Sequence, residues 1–180
     1  GIGAGFLTKS QKNLYGVNDR LDHGAAVPLY FINEEFKKHG KKFLVVCIST
    51  PFLSLHELFE FGKIIQRAVE FCEGRVVYVA SGDLSHRLSI LAPAGYSPEG
   101  SKYDKRIVDL IKTADYNSIL NTDRVSMEKA GECGTRSFAI MFGVMAAIEN
   151  LQKGKLHGEV YSYEGPFGVG YMVAKISVVH

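Results

Sequence analysis

Three short stretches of this 180-residue chain set groups that can move protons or hold a metal next to glycines. In "YVASGDLSHRL" (78–88) a β-branched apolar run stops at Gly82, and Asp83, Ser85 and His86 follow within a single turn's length. An imidazole suits proton transfer because its ordinary pKa of ~6.5 needs little adjustment to work near neutrality. In open α/β sheets ligands gather beyond the carboxyl ends of strands, and His86 stands about five residues past such an end. The same residues equally suit a bend, with His86 bonded to loop backbone and Asp83 and Ser85 satisfying the turn. Spacing alone leaves both readings open.

The second stretch is "LDHG", where His23 follows Asp22 at the start of an amphipathic segment. A first helical turn exposes backbone N–H groups that favour anions and a neutral imidazole, so His23 could act as an acid/base or a ligand. Its bland alternative is a solvated neighbour of the cap. The third is "GECGTRSF", in which Glu132 leads into an apolar helix. A carboxylate there is stabilised by the helix N-terminus and could ligate a metal, with Cys133 the softer alternative ligand and plain capping the structural one. His39, His56, His157 and His180 fall on helix ends, a polar helical position and the terminus, and read as solvated.

These residues need elements to position them. "DHGAAVPLYFINEEFKKH" (22–39) carries Ala26, Leu29, Tyr30, Ile32 and Phe36 near a 3.6-residue period, which predicts a helix over 25–38 with Asp22 as cap and Pro28 near its first turn. "KFLVVCIST" (42–50) and "RVVYVAS" (75–81) are continuous β-branched runs, the pattern of strands covered on both faces, and the helical spacing between them completes a parallel βαβ unit. Helices are predicted over 99–112, in short turns through 130, and over 136–150, the last apolar almost all round and so buried. Two alternating strands, 159–165 and 169–179, are joined by the turn "GPFG". The fold class expected is α/β, a single-domain α/β/α sandwich with a mixed, partly parallel sheet.

Composition narrows the partners. The chain is 46% hydrophobic and 22% charged with a formal charge of +2, and its Lys and Arg are interleaved with Asp and Glu, so no electrostatic footprint for nucleic acid or an anionic membrane stands out. Three cysteines without C-x-x-C spacing fit neither a disulfide framework nor a cysteine-rich zinc site, and a reducing cytoplasm is the expected compartment. No apolar run approaches the ~18 residues of a membrane span. "GIGAGF" lacks a preceding strand and is a poor dinucleotide fingerprint, and neither a G-x-x-x-x-G-K-[ST] loop nor a G-x-S-x-G elbow occurs. The start at Gly1, without methionine or an opening element, reads as a cut inside a longer protein.

Taken in order, "LDHGAAVPLYFI", "ASGDLSHRL", "AGYSPEG", "GECGTRSF" and "SYEGPFGVGY" resemble the class III extradiol ring-cleavage dioxygenase superfamily, nearest to its AmmeMemoRadiSam system protein B and Memo-like branch. The resemblance covers residues 1–180 as a C-terminal portion that lacks the N-terminal part of the domain. It implies non-haem Fe(II), a catechol-type aromatic substrate and O2, with homo-oligomerisation open. It makes His86 and His23 the acid/base histidines and Glu132 the match for the ligating glutamate, with Cys133 where the Memo branch carries a cysteine. The family's two metal-binding histidines come from "HPP"-like and "H-A-P"-like motifs, and neither occurs in this chain. A second function follows from the same likeness, a Memo-like accessory protein that binds a metal or a partner without ring cleavage.

Overall fold

Capping chemistry explains where the helices start. In the computed structural model, which describes residues 8–10 and 20–180, α1 spans His23–Lys38 and begins where the Asp22 side chain accepts the Ala25 N–H at 2.8 Å. Lys37 and Lys38 sit in its last turn, where cations complement the exposed carbonyls. α1 belongs to the first of two compact units, residues 1–49 and 50–180. None of its residues is buried, and Phe36 meets Phe43 edge-on at 4.8 Å just beyond it. The run 42–50, expected as a covered strand, joins no ladder among the described residues, and Leu44 is 100% exposed.

The second unit carries the core. α2 (Leu55–Val69) opens with a capping box: Glu57 N–H donates to Ser54 Oγ, and Ser54 N–H donates back to Glu57 Oε2 at 2.9 Å. α3 (Pro98–Lys112) is capped by Ser97 with Pro98 in its first turn. Two short helices follow, α4 (Tyr116–Leu120) capped by Asp115 and α5 (Arg124–Ala130) capped by Asp123. α5 stops at Gly131, whose φ of 65° is left-handed and suits glycine. α6 (Thr135–Gln152) is the buried helix the sequence predicts, with Phe138, Ala139, Ile140 and Phe142 inside.

The centre of this unit is the crossing of α2 and α6. A Cβ added at Gly143 would stand 1.9 Å from Phe59 O, and one at Gly62 would stand 2.1 Å from Ile140 O, so two glycines let the helix backbones touch. Around that crossing Leu58, Ile107, Ile111, Ile119, Ile140 and Phe142 are essentially sealed from solvent. The chain ends in an antiparallel hairpin, β1 (Lys155–Glu164) and β2 (Tyr171–Val179), joined through a 3₁₀ turn at Pro166–Gly168 with an irregularity between Val160 and Ser162. Leu156, Val160, Met172 and Ile176 lie on its helix-facing side.

The architecture is mixed helix and sheet, as an α/β class requires, with α1–α6 and β2 near their expected limits and β1 starting at Lys155, before the expected 159. The hairpin is the one hydrogen-bonded ladder among the described residues, so the expected parallel βαβ pairing is not shown. The 75–81 run joins no ladder among the described residues, resting Tyr78 and Ala80 on the core while Val77 is 81% exposed. An apolar β-branched run registers a demand for cover on two faces, but a ladder also needs a neighbouring backbone, and among the described residues this run joins no ladder. No described helix is long and apolar enough to cross a membrane.

Candidate metal centre

Two loops meet at the end of the 75–81 run. Gly131 turns the chain out of α5, residues 132–134 cross, and α6 begins at Thr135. Against this bend lies the loop that starts at Gly82. Asp83 O accepts N–H groups from Cys133 at 3.2 Å and Gly134 at 3.0 Å, and Asp83 N–H points back at Cys133 Sγ at 3.1 Å. The contact needs glycines on both sides, since a Cβ at Gly82 would fall 2.5 Å from Gly134 Cα.

This zipper brings His86 to the same point. Its Nε2 lies 3.2 Å from Asp83 Oδ2, and both side chains are partly buried. Asp83, His86 and Cys133 each offer one ligand atom, and those atoms lie within 4.8 Å of one another. A first-row divalent ion binds sulfur at ~2.3 Å and imidazole or carboxylate at ~2.0–2.2 Å, so small side-chain rotations would close these three donors around one ion. The donor chemistry fits a metal. The thiolate makes the set softer than two histidines and a carboxylate.

Cys133 is exposed as a residue, but its sulfur is turned inward, and desolvation pushes its pKa above the ordinary 9.0. The Asp83 N–H draws it down, while the charges of Asp83 and Glu132 push it up. Desolvation leads these causes, so a metal would have to displace the thiol proton.

Glu132 faces elsewhere. Its Oε2 accepts Thr135 N–H at 2.7 Å and Thr135 Oγ1–H at 2.6 Å, and Tyr103 hydrogen bonds to the same threonine hydroxyl. The N-cap residue Gly134 has no side chain to offer, so the carboxylate two residues earlier satisfies an orphan donor of α6 and sits at the positive end of the helix. Glu132 falls outside the three-donor group. His23, the other acid/base candidate, is exposed in the first turn of α1, in the first unit.

Beneath the cluster lies a polar layer. Asp104, from the middle of α3, is fully buried and accepts Ser85 N–H and Tyr163 Oη–H, each at 2.7 Å. Burial raises its pKa above the ordinary 3.8, against the lowering effect of those two donors. Ser85 Oγ donates to Ala130 O at 2.8 Å, and His86 N–H reaches the same carbonyl at 3.2 Å. Sequence reasoning singled out His23, His86 and Glu132, with Cys133 as the alternative ligand beside Glu132, and read Asp83 as part of a turn. The Asp83/His86 spacing of three residues was the available signal for a shared site, whereas nothing local announces that Cys133, fifty positions on, closes it.

The chain is also similar in sequence to known proteins. Residues 9–174 match the family described as the catalytic LigB subunit of aromatic ring-opening dioxygenase. Protein CA_C1420 of Clostridium acetobutylicum is 43% identical over 162 residues, which are 90% of this chain and 32% of that protein. The 3,4-dihydroxyphenylacetate 2,3-dioxygenase of Escherichia coli is 31% identical over 111 residues, 57% of this chain and 38% of that enzyme. The chain thus spans about a third of the length of the curated relatives it matches. Its motifs, and a family match that runs over most of its length, place the chain in the LigB family of aromatic ring-opening dioxygenase subunits.

Proposed function

We propose that this chain forms part of a non-haem Fe(II)-dependent, extradiol ring-cleaving dioxygenase-like oxidoreductase that takes a catechol-type substrate and O2. The observation that carries the reading is the convergence of His86, Asp83 and Cys133 from two loops onto one point. Family membership and a relative that bears the name of a catechol dioxygenase support it. On this reading the fold is a three-layer α/β/α sandwich in which the 42–50 and 75–81 runs are strands of a partly parallel sheet, and the exposed apolar residues of both runs support that placement. The compartment is the cytoplasm, and a homo-oligomer is compatible with it.

When bound, iron would supply Lewis-acid activation of the substrate hydroxyls and a site for O2. His86 handles the proton. With Nε2–H donated to Asp83 Oδ2, its Nδ1 carries the lone pair that takes a hydroxyl proton, and Asp83 stabilises the imidazolium that results. Cys133 would hold the metal from the α6 side, and Glu132 would either share that ligation or serve the helix cap alone. The family resemblance assigns the second acid/base role to His23. The two motifs that carry the family's histidine ligands do not occur in these 180 residues.

Anaerobic Fe(II) titration followed by O2 uptake on a panel of catechols, 3,4-dihydroxyphenylacetate included, tests the proposal in the intact protein. Iron binding with uptake that disappears in His86→Ala is the expected result, and iron binding without uptake refutes ring cleavage. A specific observation favours a second reading: the thiol at Cys133 makes the donor set sulfur, nitrogen and oxygen. In that case His86, Asp83 and Cys133 all ligate, and the protein is a Memo-like accessory protein that binds a metal or a partner. Metal binding abolished by His86→Ala distinguishes it, because a proton handler can be removed without losing the ion.

A further inference from the structure

We propose that Asp104 is a positioning residue for the metal cluster: its buried carboxylate sets the 84–88 segment on its neighbours and so fixes His86 against Asp83 and Cys133. Five consecutive amides of that segment have assigned acceptors. Leu84 N–H goes to Gly170 O, His86 N–H to Ala130 O, Arg87 N–H to Ser85 Oγ and Leu88 N–H to Gly168 O. The central one, Ser85 N–H, goes to Asp104 Oδ1, the one side-chain carboxylate in the set. Both Ser85 and Asp104 are 0% exposed, so no water can replace that bond.

The second oxygen ties the segment to the hairpin. Asp104 Oδ2 accepts Tyr163 Oη–H from β1, and a Cβ at Gly170 would stand 2.0 Å from the same oxygen, so the chain before β2 is pressed against it. One carboxylate on α3 therefore clamps the loop carrying His86 to both ends of the hairpin turn. A buried carboxylate is costly, and a leucine of similar volume would avoid that cost. It would also leave Ser85 N–H and Tyr163 Oη without an acceptor, directly behind His86. Asp104 touches neither substrate nor metal in this arrangement; it acts through Ser85.

The inference rests on the reading of His86, Asp83 and Cys133 as a metal cluster, but one of its two readouts needs no metal. The full chain is compared with Asp104→Ala, Asp104→Asn and Tyr163→Phe. Amide hydrogen exchange is measured at Ser85 and His86, and Co(II) is titrated while thiolate-to-cobalt charge-transfer absorption is followed. Loss of a partner that orients ligands typically costs 10–100-fold in metal affinity, so Asp104→Ala should weaken Co(II) binding about tenfold or more and release the Ser85 amide. Asp104→Asn should restore both, because Asn Oδ1 still accepts Ser85 N–H and its amide can donate to the rotated Tyr163 hydroxyl. Should Asp104→Ala fail to fold, Tyr163→Phe carries the test, since Tyr163 is partly exposed and its loss frees Oδ2; a weakened and broadened cobalt band is expected. Wild-type Co(II) affinity and Ser85 protection in Asp104→Ala, or in Tyr163→Phe if that variant carries the test, would overturn the proposal. A wild-type chain that binds no Co(II), with Ser85 still released in Asp104→Ala, would sink the metal reading and leave the positioning role standing.

Discussion

Replacing Glu132 and Cys133 separately decides which of two adjacent side chains serves the metal and which serves the helix. Glu132 Oε2 takes two donors from Thr135, at 2.7 and 2.6 Å, at the start of an 18-residue buried helix whose N-cap is a glycine. A cap is worth ~1 kcal/mol and a hydrogen bond to a charged group ~1.5–3 kcal/mol, and two bonds on one oxygen are not additive, so Glu132→Ala should cost about 2–3 kcal/mol. For a domain of this size that lowers Tm by roughly 5–10 °C. Cys133→Ser deletes no bond on which the core depends and should shift Tm little. Metal affinity should move the opposite way: Glu132→Ala stays within the roughly 10–100-fold that a supporting contact is worth, while Cys133→Ser falls further because it removes a donor atom. Thermal melts by circular dichroism and anaerobic Co(II) titration provide both numbers on the same samples. An unchanged Tm with lost metal binding in Glu132→Ala, beside normal binding in Cys133→Ser, would make Glu132 the ligand and refute the assignment from side-chain direction.

Three further outcomes follow from the same structure. Gly143→Ala forces a Cβ into Phe59 O at the α2–α6 crossing; overpacking of ~1–3 kcal/mol or more outweighs the ~1 kcal/mol gain in helix propensity, so urea denaturation should show a clear net loss of stability, and an equal or higher midpoint would contradict the backbone contact. Burial holds the Asp104 carboxyl above 3.8, so the folded chain binds that proton more tightly than the unfolded one; its stabilising contribution is full below about pH 3.8 and is lost as pH rises through the raised value. Asp104→Asn mimics the protonated form, and its stability relative to wild type should therefore increase with pH, a trend that a flat or falling difference curve would disprove. The Cys133 thiol is held above 9.0, so metal binding expels a proton and affinity should climb by about tenfold per pH unit across neutrality, a slope that Cys133→Ser should remove.

How far the fold could be read from the residues depended on how local the determinants were. Of the helices α1–α6, all but α6 announce themselves through a side-chain cap at their start, Asp22, Ser54, Ser97 and Asp123 among them. The hairpin is equally local, since alternation and the "GPFG" turn lie side by side. The 42–50 and 75–81 runs depend on backbones elsewhere. Their composition states what they would bury, and no residue within them states which strand completes the ladder, so the parallel pairing was an inference of a different kind from the helices.

The site divides along the same line. His86 stood out because an imidazole after a strand-like run is unusual chemistry, and Glu132 stood out because a carboxylate is the expected hard ligand. Residue type cannot say where a side chain points. Next to a capless glycine and a threonine, the carboxylate of Glu132 has a nearer use, and the backbone turn that aims it at Thr135 aims its neighbour's sulfur at Asp83. The glycines carry that information more faithfully than the polar residues do: Gly82 and Gly134 are where two loops touch, and Gly170 is where the hairpin meets Asp104. Each glycine in "SGDLSH", "GECG" and "GVGY" that permits a close approach therefore marks a contact, and following those contacts leads from His86 to Cys133 on one side and to Asp104 on the other. If that logic is right, alanine at Gly82 should disturb Co(II) binding as much as Cys133→Ser, although Gly82 offers no ligand, because its Cβ would push apart the two loops that hold Asp83 and Cys133 together.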